Sequence, residues 1–497
     1  MYDYPINWTR IALLLALIGF LILVYRRQAS QLTRPLGCFG LSILVLAVLS
    51  FPNFGFFHRP HFGAVHSWDA FHYFMGSKYF AELGYEGLYE ATLVSGLEHK
   101  VFGDITHIRS LRTYEPEDAQ TIDRSIVKSR FSEERWRAFA TDLSYFVREI
   151  GPWEKLFFDH GYNDPPMRAA LLGLITNRLT ATPTTIFILS LIDYLLIALI
   201  ALAIFRAFGS FAAIVTVSFL LLNFLARFNF IGGSILRWDW IVAILAAAVS
   251  IQRGKMRLAG LSLAYATGAR IFPILFFAPL VLKYVAASRN SPDQVTLRKL
   301  FGGAALGGLA LTVFTLACGI GFDTVTTFLT KIQAHSQNIF LNHIGVDQLV
   351  AFSRTPWLYH PDIGLYIPRE AALAARAPRW LTALIAIAVG AALIRPLRSC
   401  SVLQALSYGG IFIFILLTPA NYYYSFLSLL ILGAVSREPL TKLATVKLVL
   451  LLVVTILSYL IEQQITEMLP LYYFVGVMLA VYFVGLVLIE RGSHRSS

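Results

Sequence analysis

Sparsely charged apolar runs of about 14–22 residues recur from one end of the chain to the other, and nearly every short link between them carries Lys or Arg. No soluble core accommodates so many such runs. With 57% hydrophobic residues, 14% charged residues and a mean hydropathy of +0.64, the 497-residue chain reads as a polytopic membrane protein. The net charge of +12 does not point to nucleic acid. The basic residues cluster at the ends of apolar runs, where they orient membrane helices toward the cytoplasm. Cys38, Cys318 and Cys400 lie far apart, in or beside apolar runs, and suggest neither a disulfide framework nor a metal site.

Run length and the Lys/Arg asymmetry predict an all-α bundle of about 13 transmembrane helices with a helical outer-loop domain. Residues 1–52 hold the first two spans, and 53–183 form a large extracytoplasmic segment. Residues 184–320 carry spans 3–8, 321–379 form a second extracytoplasmic segment, and 380–497 carry spans 9–13. The first run, about 8–25, is followed by Arg26-Arg27 and not by a small-residue cleavage site, so it is read as an uncleaved span with its N-terminus outside. Spans 3 and 4 are placed at about 184–205 and 210–226, and spans 6 and 7 form a hairpin broken at Arg270-Ile-Phe-Pro273. Several runs are shorter than the roughly 20 residues that cross a bilayer upright. Short, broken helices fit around a water-filled cavity, here one opening to the outside.

Residues His66 to Glu90 are rich in aromatics yet carry two His, Asp69 and Lys78. Read as a helix ending near Gly84, they place Asp69, His72, Tyr73, Gly76 and Phe80 on one face. The expectation is a helix at the membrane surface with an acid held at the bilayer edge. His66, His72 and Lys78 are close enough in sequence to perturb that acid, although an isolated acid beside a span is more often only solvated. Further along, Trp136, Phe139, Leu143 and Phe146 recur at helical spacing and predict an amphipathic helix packing on the outer domain.

The other unusual polar residues fall on the same side of the predicted topology. They are Asp159, His160, Asn163 and Asp164 before span 3, Arg237 and Asp239 at span 5, Arg270 at the hairpin tip, His335, Asn342 and His343 in the second outer segment, and Thr418-Pro-Ala-Asn-Tyr-Tyr-Tyr424 between late spans. An Arg at an apolar tip requires an anionic partner, such as a phosphate held through two hydrogen bonds, or else reaches to lipid headgroups. The Tyr triplet fits an interfacial belt equally well. Asp193 is an intramembrane acid whose partner is not legible.

Taken together, these residues resemble the GT-C superfamily of membrane glycosyltransferases, from about residue 36 to the C-terminus. Four stretches carry the likeness: Trp68-Asp69-Ala-Phe-His72-Tyr73, Gly161-Tyr-Asn-Asp-Pro-Pro166, Gly268-Ala-Arg-Ile-Phe-Pro273 and Thr418-Pro-Ala-Asn-Tyr-Tyr423. The resemblance implies a sugar moved from a polyprenyl-phosphate donor to a hydroxyl of a glycan, lipid or protein acceptor, with Asp69 as catalytic base and Arg270 on the donor phosphate. It implies no cofactor beyond the lipid-linked sugar and no metal. The substrate-binding set expected with Arg270 is His66, His72, Lys78, Asn163, Asp164, His335, His343, Asn421, Tyr422 and Tyr423. The implied location is a bacterial inner membrane, with the site on the periplasmic or extracellular side. An extra span precedes the family's usual first one, and a single Asp stands where an Asp-Glu pair is usual, which leaves donor and acceptor open. A lipid-linked oligosaccharide polymerase or ligase, and a lipid or solute transporter, remain as alternatives.

Overall fold

Among the described residues of the computed structural model, six helices are long and apolar enough to cross a bilayer: Pro5–Arg27, Pro183–Leu222, Pro292–Ala317, Arg379–Ser399, Lys442–Gln464 and Met468–Gly492. The structure describes residues 3–28, 32–58, 63–103, 105–151, 153–361, 364–436 and 439–493. Shorter apolar helices, among them Arg34–Ser50, Pro166–Thr176, Asp239–Gln252 and Phe272–Ala286, lie between the long ones. The expected number of about 13 spans counts such short helices too, and by length alone they do not reach across a bilayer. The chain is 75% helical. Among the described residues the strands form two short antiparallel hairpins, one pairing His107–Arg109 with Pro116–Asp118 and one pairing Leu358–His360 with Gly364–Tyr366.

The 40-residue run Pro183–Leu222 would measure about 60 Å as one straight helix, twice the thickness of a hydrocarbon core. It is broken at Gly209, whose φ of 85° no helix contains, and so makes two helices where two spans are expected. The first half exposes Ile188, Leu195, Leu199 and Phe205, an apolar surface suited to lipid, whereas Phe211 to Leu222 are buried. Helices Met256–Ala269 and Pro292–Ala317 approach most closely through glycines. A Cβ at Gly260 would lie 2.0 Å from the Leu300 carbonyl oxygen, and one at Gly303 would lie 2.1 Å from that of Arg257.

The outer segment is built on helices Ser67–Lys78, Leu88–Glu98 and Glu133–Glu149. The last is capped by Ser132, whose hydroxyl accepts from the Arg135 N–H at 3.2 Å, and it buries Trp136, Phe139, Leu143 and Phe146 as their spacing predicts. It also buries Asp142, which accepts from Lys78 Nζ at 2.6 Å, the Tyr79 hydroxyl at 2.7 Å and the Ala181 N–H at 2.7 Å. Two expectations are corrected here. Ser67–Lys78 does not keep an open face but is buried from Ala70 through Lys78 inside the outer segment. Lys78 does not face Asp69, because nine residues of helix, about two and a half turns, aim it at the opposite side.

The second outer segment docks on the first. Lys331 of helix Phe322–Ser336 donates to the Tyr85 carbonyl at 2.7 Å, and His343 pairs with Ala420 in a β-bridge. The long loops therefore gather at one end of the bundle.

Replacing Gly303 with Leu is expected to push the two helices apart and to lower stability by about 1–3 kcal/mol, read as a lower unfolding temperature in detergent. Gly308→Leu, where a Cβ would meet nothing within 4 Å, serves as the neutral control.

Candidate functional site

The site begins with a loop that the chain holds from three sides. Residues 232–238 join the short helix Phe228–Ile231 to Asp239–Gln252. Gly233 sits at φ 70°, and a Cβ there would lie 2.0 Å from the Ala64 carbonyl oxygen, so only glycine fits. Its own carbonyl accepts from the His66 N–H at 2.9 Å. The neighbouring Gly232 carbonyl bonds to His58 Nε2 at 2.7 Å. Asp193, from the membrane-spanning run, accepts from the N–H groups of Arg237 at 2.8 Å and Trp238 at 3.1 Å. This loop backbone is the partner that the sequence did not disclose. Across the gap, His66 Nδ1 accepts from the Asp69 N–H at 3.2 Å and caps the helix, which places Asp69 in its first turn.

Arg237 and Asp69 then meet, with Nε 3.1 Å from Oδ2, as an ion pair without the alignment of a hydrogen bond. Arg237 also donates to the Tyr73 hydroxyl and lies 4.6 Å above the Tyr422 ring. Arg270 approaches the same Tyr73 oxygen at 3.4 Å and pairs with Asp164. Asp164 accepts from Arg168 Nε at 2.5 Å, and Arg168 Nη1 donates to Asp239 at 2.5 Å. The Tyr265 hydroxyl closes the chain on Asp239 at 3.0 Å. Three carboxylates and three guanidiniums thus form one neutral, connected cluster. Burial pushes the Tyr73 phenol well above its usual range, so it remains a protonated hydroxyl between two cations.

The three acids are not equivalent. The Asp164 and Asp239 side chains are each 3% exposed; Asp164 is engaged by two partners and Asp239 by three, the Trp240 N–H among them. The Asp69 side chain is 19% exposed and has one cation against it. Arg270 Nε is buried without a hydrogen-bond partner.

The remaining expected site residues divide. Tyr422 belongs to the cluster through Arg237, and Tyr423 packs edge-on against Trp240 and Phe272 beside it. Asn163 precedes Asp164 and accepts from the Tyr114 hydroxyl at 3.3 Å. His72 turns away from Asp69: its ring nitrogens meet the Trp68 carbonyl and the Tyr89 hydroxyl, each at 2.9 Å, and it lies 4.0 Å from Asp159. Asn421 is fully buried and ties loops together, donating to the Leu225 carbonyl at 3.1 Å and to the Tyr472 hydroxyl at 3.2 Å. His335 and His343 pack with His160 around Phe340, with ring centroids 4.3–4.7 Å from it, as an aromatic seam between the two outer segments. Among the described residues, no group of three or more His, Cys, Asp or Glu is placed to hold a metal ion.

Sequence reasoning missed Arg168 altogether and named Arg237 without assigning it to the site. The only available signal for Arg168 was a lone Arg two residues into an apolar helix that starts at Pro166. No protein-family model matches the chain, and no curated protein or solved structure matches it.

Removing Arg168 leaves two buried carboxylates short of a cation. Arg168→Met is expected to destabilise the fold by about 3–5 kcal/mol, measured as loss of monodisperse protein and a lowered unfolding midpoint. Burial also sets a pH dependence. It pushes the His160 imidazole down, His335 down to about 4 and His343 well below its usual range; Lys331 and Arg109 reinforce the shift at His335, and Asp159 opposes it. Folded values below the unfolded value mean that the unfolded chain binds more protons in this window. Stability should therefore be flat above about pH 6.5 and fall as pH drops from there toward 4. His335→Phe, which keeps the ring packing, is expected to flatten that slope in unfolding midpoints recorded across the same range.

Proposed function

We propose that the chain is a membrane glycosyltransferase of the GT-C type that moves a sugar from a polyprenyl-phosphate donor to an acceptor hydroxyl at the extracytoplasmic face. The observation that carries this reading is the asymmetry of the cluster. Asp69 is the one acid of the three that reaches the surface, and it sits against one cation, Arg237, which Tyr73 links to a second, Arg270. A hydroxyl is a weak nucleophile and requires a base as the new bond forms. Asp69 takes the acceptor proton, the acceptor oxygen attacks the sugar carbon with inversion, and the bond to the phosphate oxygen breaks. The electron pair leaves on the lipid phosphate, whose growing charge falls to Arg237 and Arg270.

In this proposal Arg270 keeps its expected role at the phosphate, and Arg237, the cation against Asp69, is added to it. In the donor-free state Arg237 holds Asp69; an arriving phosphate competes for the guanidinium and frees the carboxylate. Lys78, bound to Asp142, has no place in this chemistry. Asp193, the intramembrane acid that the transporter alternative could have used, accepts from the loop backbone.

Asp69→Asn is expected to lower release of polyprenyl phosphate by about 10²–10⁴-fold in purified protein offered a panel of polyprenyl-phosphate sugars, with folding unchanged. Turnover near the wild-type level in that variant removes Asp69 as the base. Arg237→Gln is expected to weaken donor binding and turnover together, since it removes both the cation at the phosphate and the partner of the resting base.

A further inference from the structure

Helix Phe322–Ser336, which opens the second outer segment, shows three faces. One is covered by protein. Phe328 and Lys331 are buried on it, with the Phe328 ring 5.7 Å from that of Tyr85 and Lys331 on the Tyr85 carbonyl. The second is polar and open. It carries Asp323, Thr326, Thr327 and Thr330, and the three threonine hydroxyls donate to the Asp323 and Thr326 carbonyls of the same helix at 2.7–3.1 Å. The third is an apolar edge that no part of the chain covers. Phe322 is 65% exposed and Leu329, two turns on, is 49% exposed, with half-buried Val325 one turn from each. Farther along the same side stands the exposed Gln333, so the edge belongs to the first two turns.

Chain length fixes the level at which this helix begins. The preceding long helix, Pro292–Ala317, carries Arg298 and Lys299 near its start and is uncharged from Leu300 to Ala317. That uncharged stretch rises about 27 Å, close to the thickness of a hydrocarbon core, so Ala317 falls at its far boundary. Only Cys318-Gly319-Ile320-Gly321 separate Ala317 from Phe322, and four residues reach about 14 Å at most. The exposed apolar side chains of the span, Leu309, Val313 and Leu316, run to its last turn and resume at Phe322. The other end of the segment gives the same level. Trp380, 66% exposed, stands in the first turn of Arg379–Ser399, where membrane helices carry their interfacial aromatics.

A helix with protein on one side, an apolar edge on the next and a weakly polar face beyond it fits the junction of protein, lipid and water. Threonine hydroxyls that bond to their own backbone lose little in the thinly hydrated headgroup layer. A second copy of the chain is a poor occupant for the edge, because two exposed side chains fall far short of the ~1,000 Å² that a stable protein interface buries. We propose that the first two turns of helix Phe322–Ser336 rest in the outer interface of the bilayer. Phe322 and Leu329 enter the upper acyl chains, the threonine face turns to water, and the helix seats the second outer segment on the membrane.

The test uses the full chain in nanodiscs of phosphatidylcholine and phosphatidylglycerol. With Cys38, Cys318 and Cys400 replaced by Ala, nitroxide labels are placed at Leu329→Cys and at Thr327→Cys, and their relaxation by oxygen and by a water-soluble nickel chelate is compared. Oxygen should dominate at position 329 and the nickel chelate at position 327, a reversal of sign in the depth parameter. Phe322→p-benzoylphenylalanine, made with the native cysteines in place, should cross-link to phospholipid on illumination. Either readout decides the matter where the other variant is not recovered folded. Nickel contact at position 329 equal to that at 327 leaves the edge in water and overturns the proposal. So does shielding of position 329 from both reagents, or cross-linking of position 322 to a second copy of the chain and not to lipid. The readouts are lipid contacts, so the outcome is independent of whether the chain transfers sugars.

Discussion

The guanidinium of Arg168 is the pivot of the structure. Its side chain is fully buried, and its donors reach Asp164, Asp239 and the backbone carbonyl of Ile235. Burying a guanidinium is costly unless its charge and its N–H groups are all met, and here both are. One side chain thereby locks the Pro166–Thr176 helix to the loop that presents Arg237 and to the start of Asp239–Gln252. Asp164, held in place by Arg168, in turn holds Arg270 at the hairpin tip. Arg237 and Arg270, the two cations proposed for the phosphate, thus owe their positions to a third guanidinium.

Charge balance in this cluster bears on the proposed chemistry. With three acids and three bases already matched, a proposed anionic donor would enter by exchange, at the weakest link, the poorly aligned and partly exposed pair of Arg237 and Asp69. Asp164 and Asp239 are too well held to compete. Under that proposal the same substitution of partners that binds the donor would also arm the base.

Much of this was legible in the chain. Apolar runs marked the helices, Gly209 fell between the two runs that the break separates, and the helical spacing of Trp136, Phe139, Leu143 and Phe146 named a buried face that the structure contains. Asp69, Arg270 and Tyr422 were picked out and do converge. What escaped depends on distance along the chain. Arg168 meets Asp239 across 71 residues and Arg270 meets Asp164 across 106, separations that periodicity does not register. Asn421 looked like a ligand contact because it is polar among tyrosines, yet its amide is consumed in joining loops. Lys78 was misplaced because nearness in sequence was taken for nearness on the helix, although its true partner, Asp142, lies 64 residues on.

The order in which these partners occur has a consequence for biogenesis. Asp69, Asp164 and Arg168 leave the ribosome well before Arg237, Asp239 and Arg270. During that interval Arg168, on a helix of 11 residues too short to span a bilayer, has for an ion-pair partner only Asp164, two residues before that helix. The network closes only when residue 270 has been made, so the candidate site is completed after more than half of the chain has been synthesised.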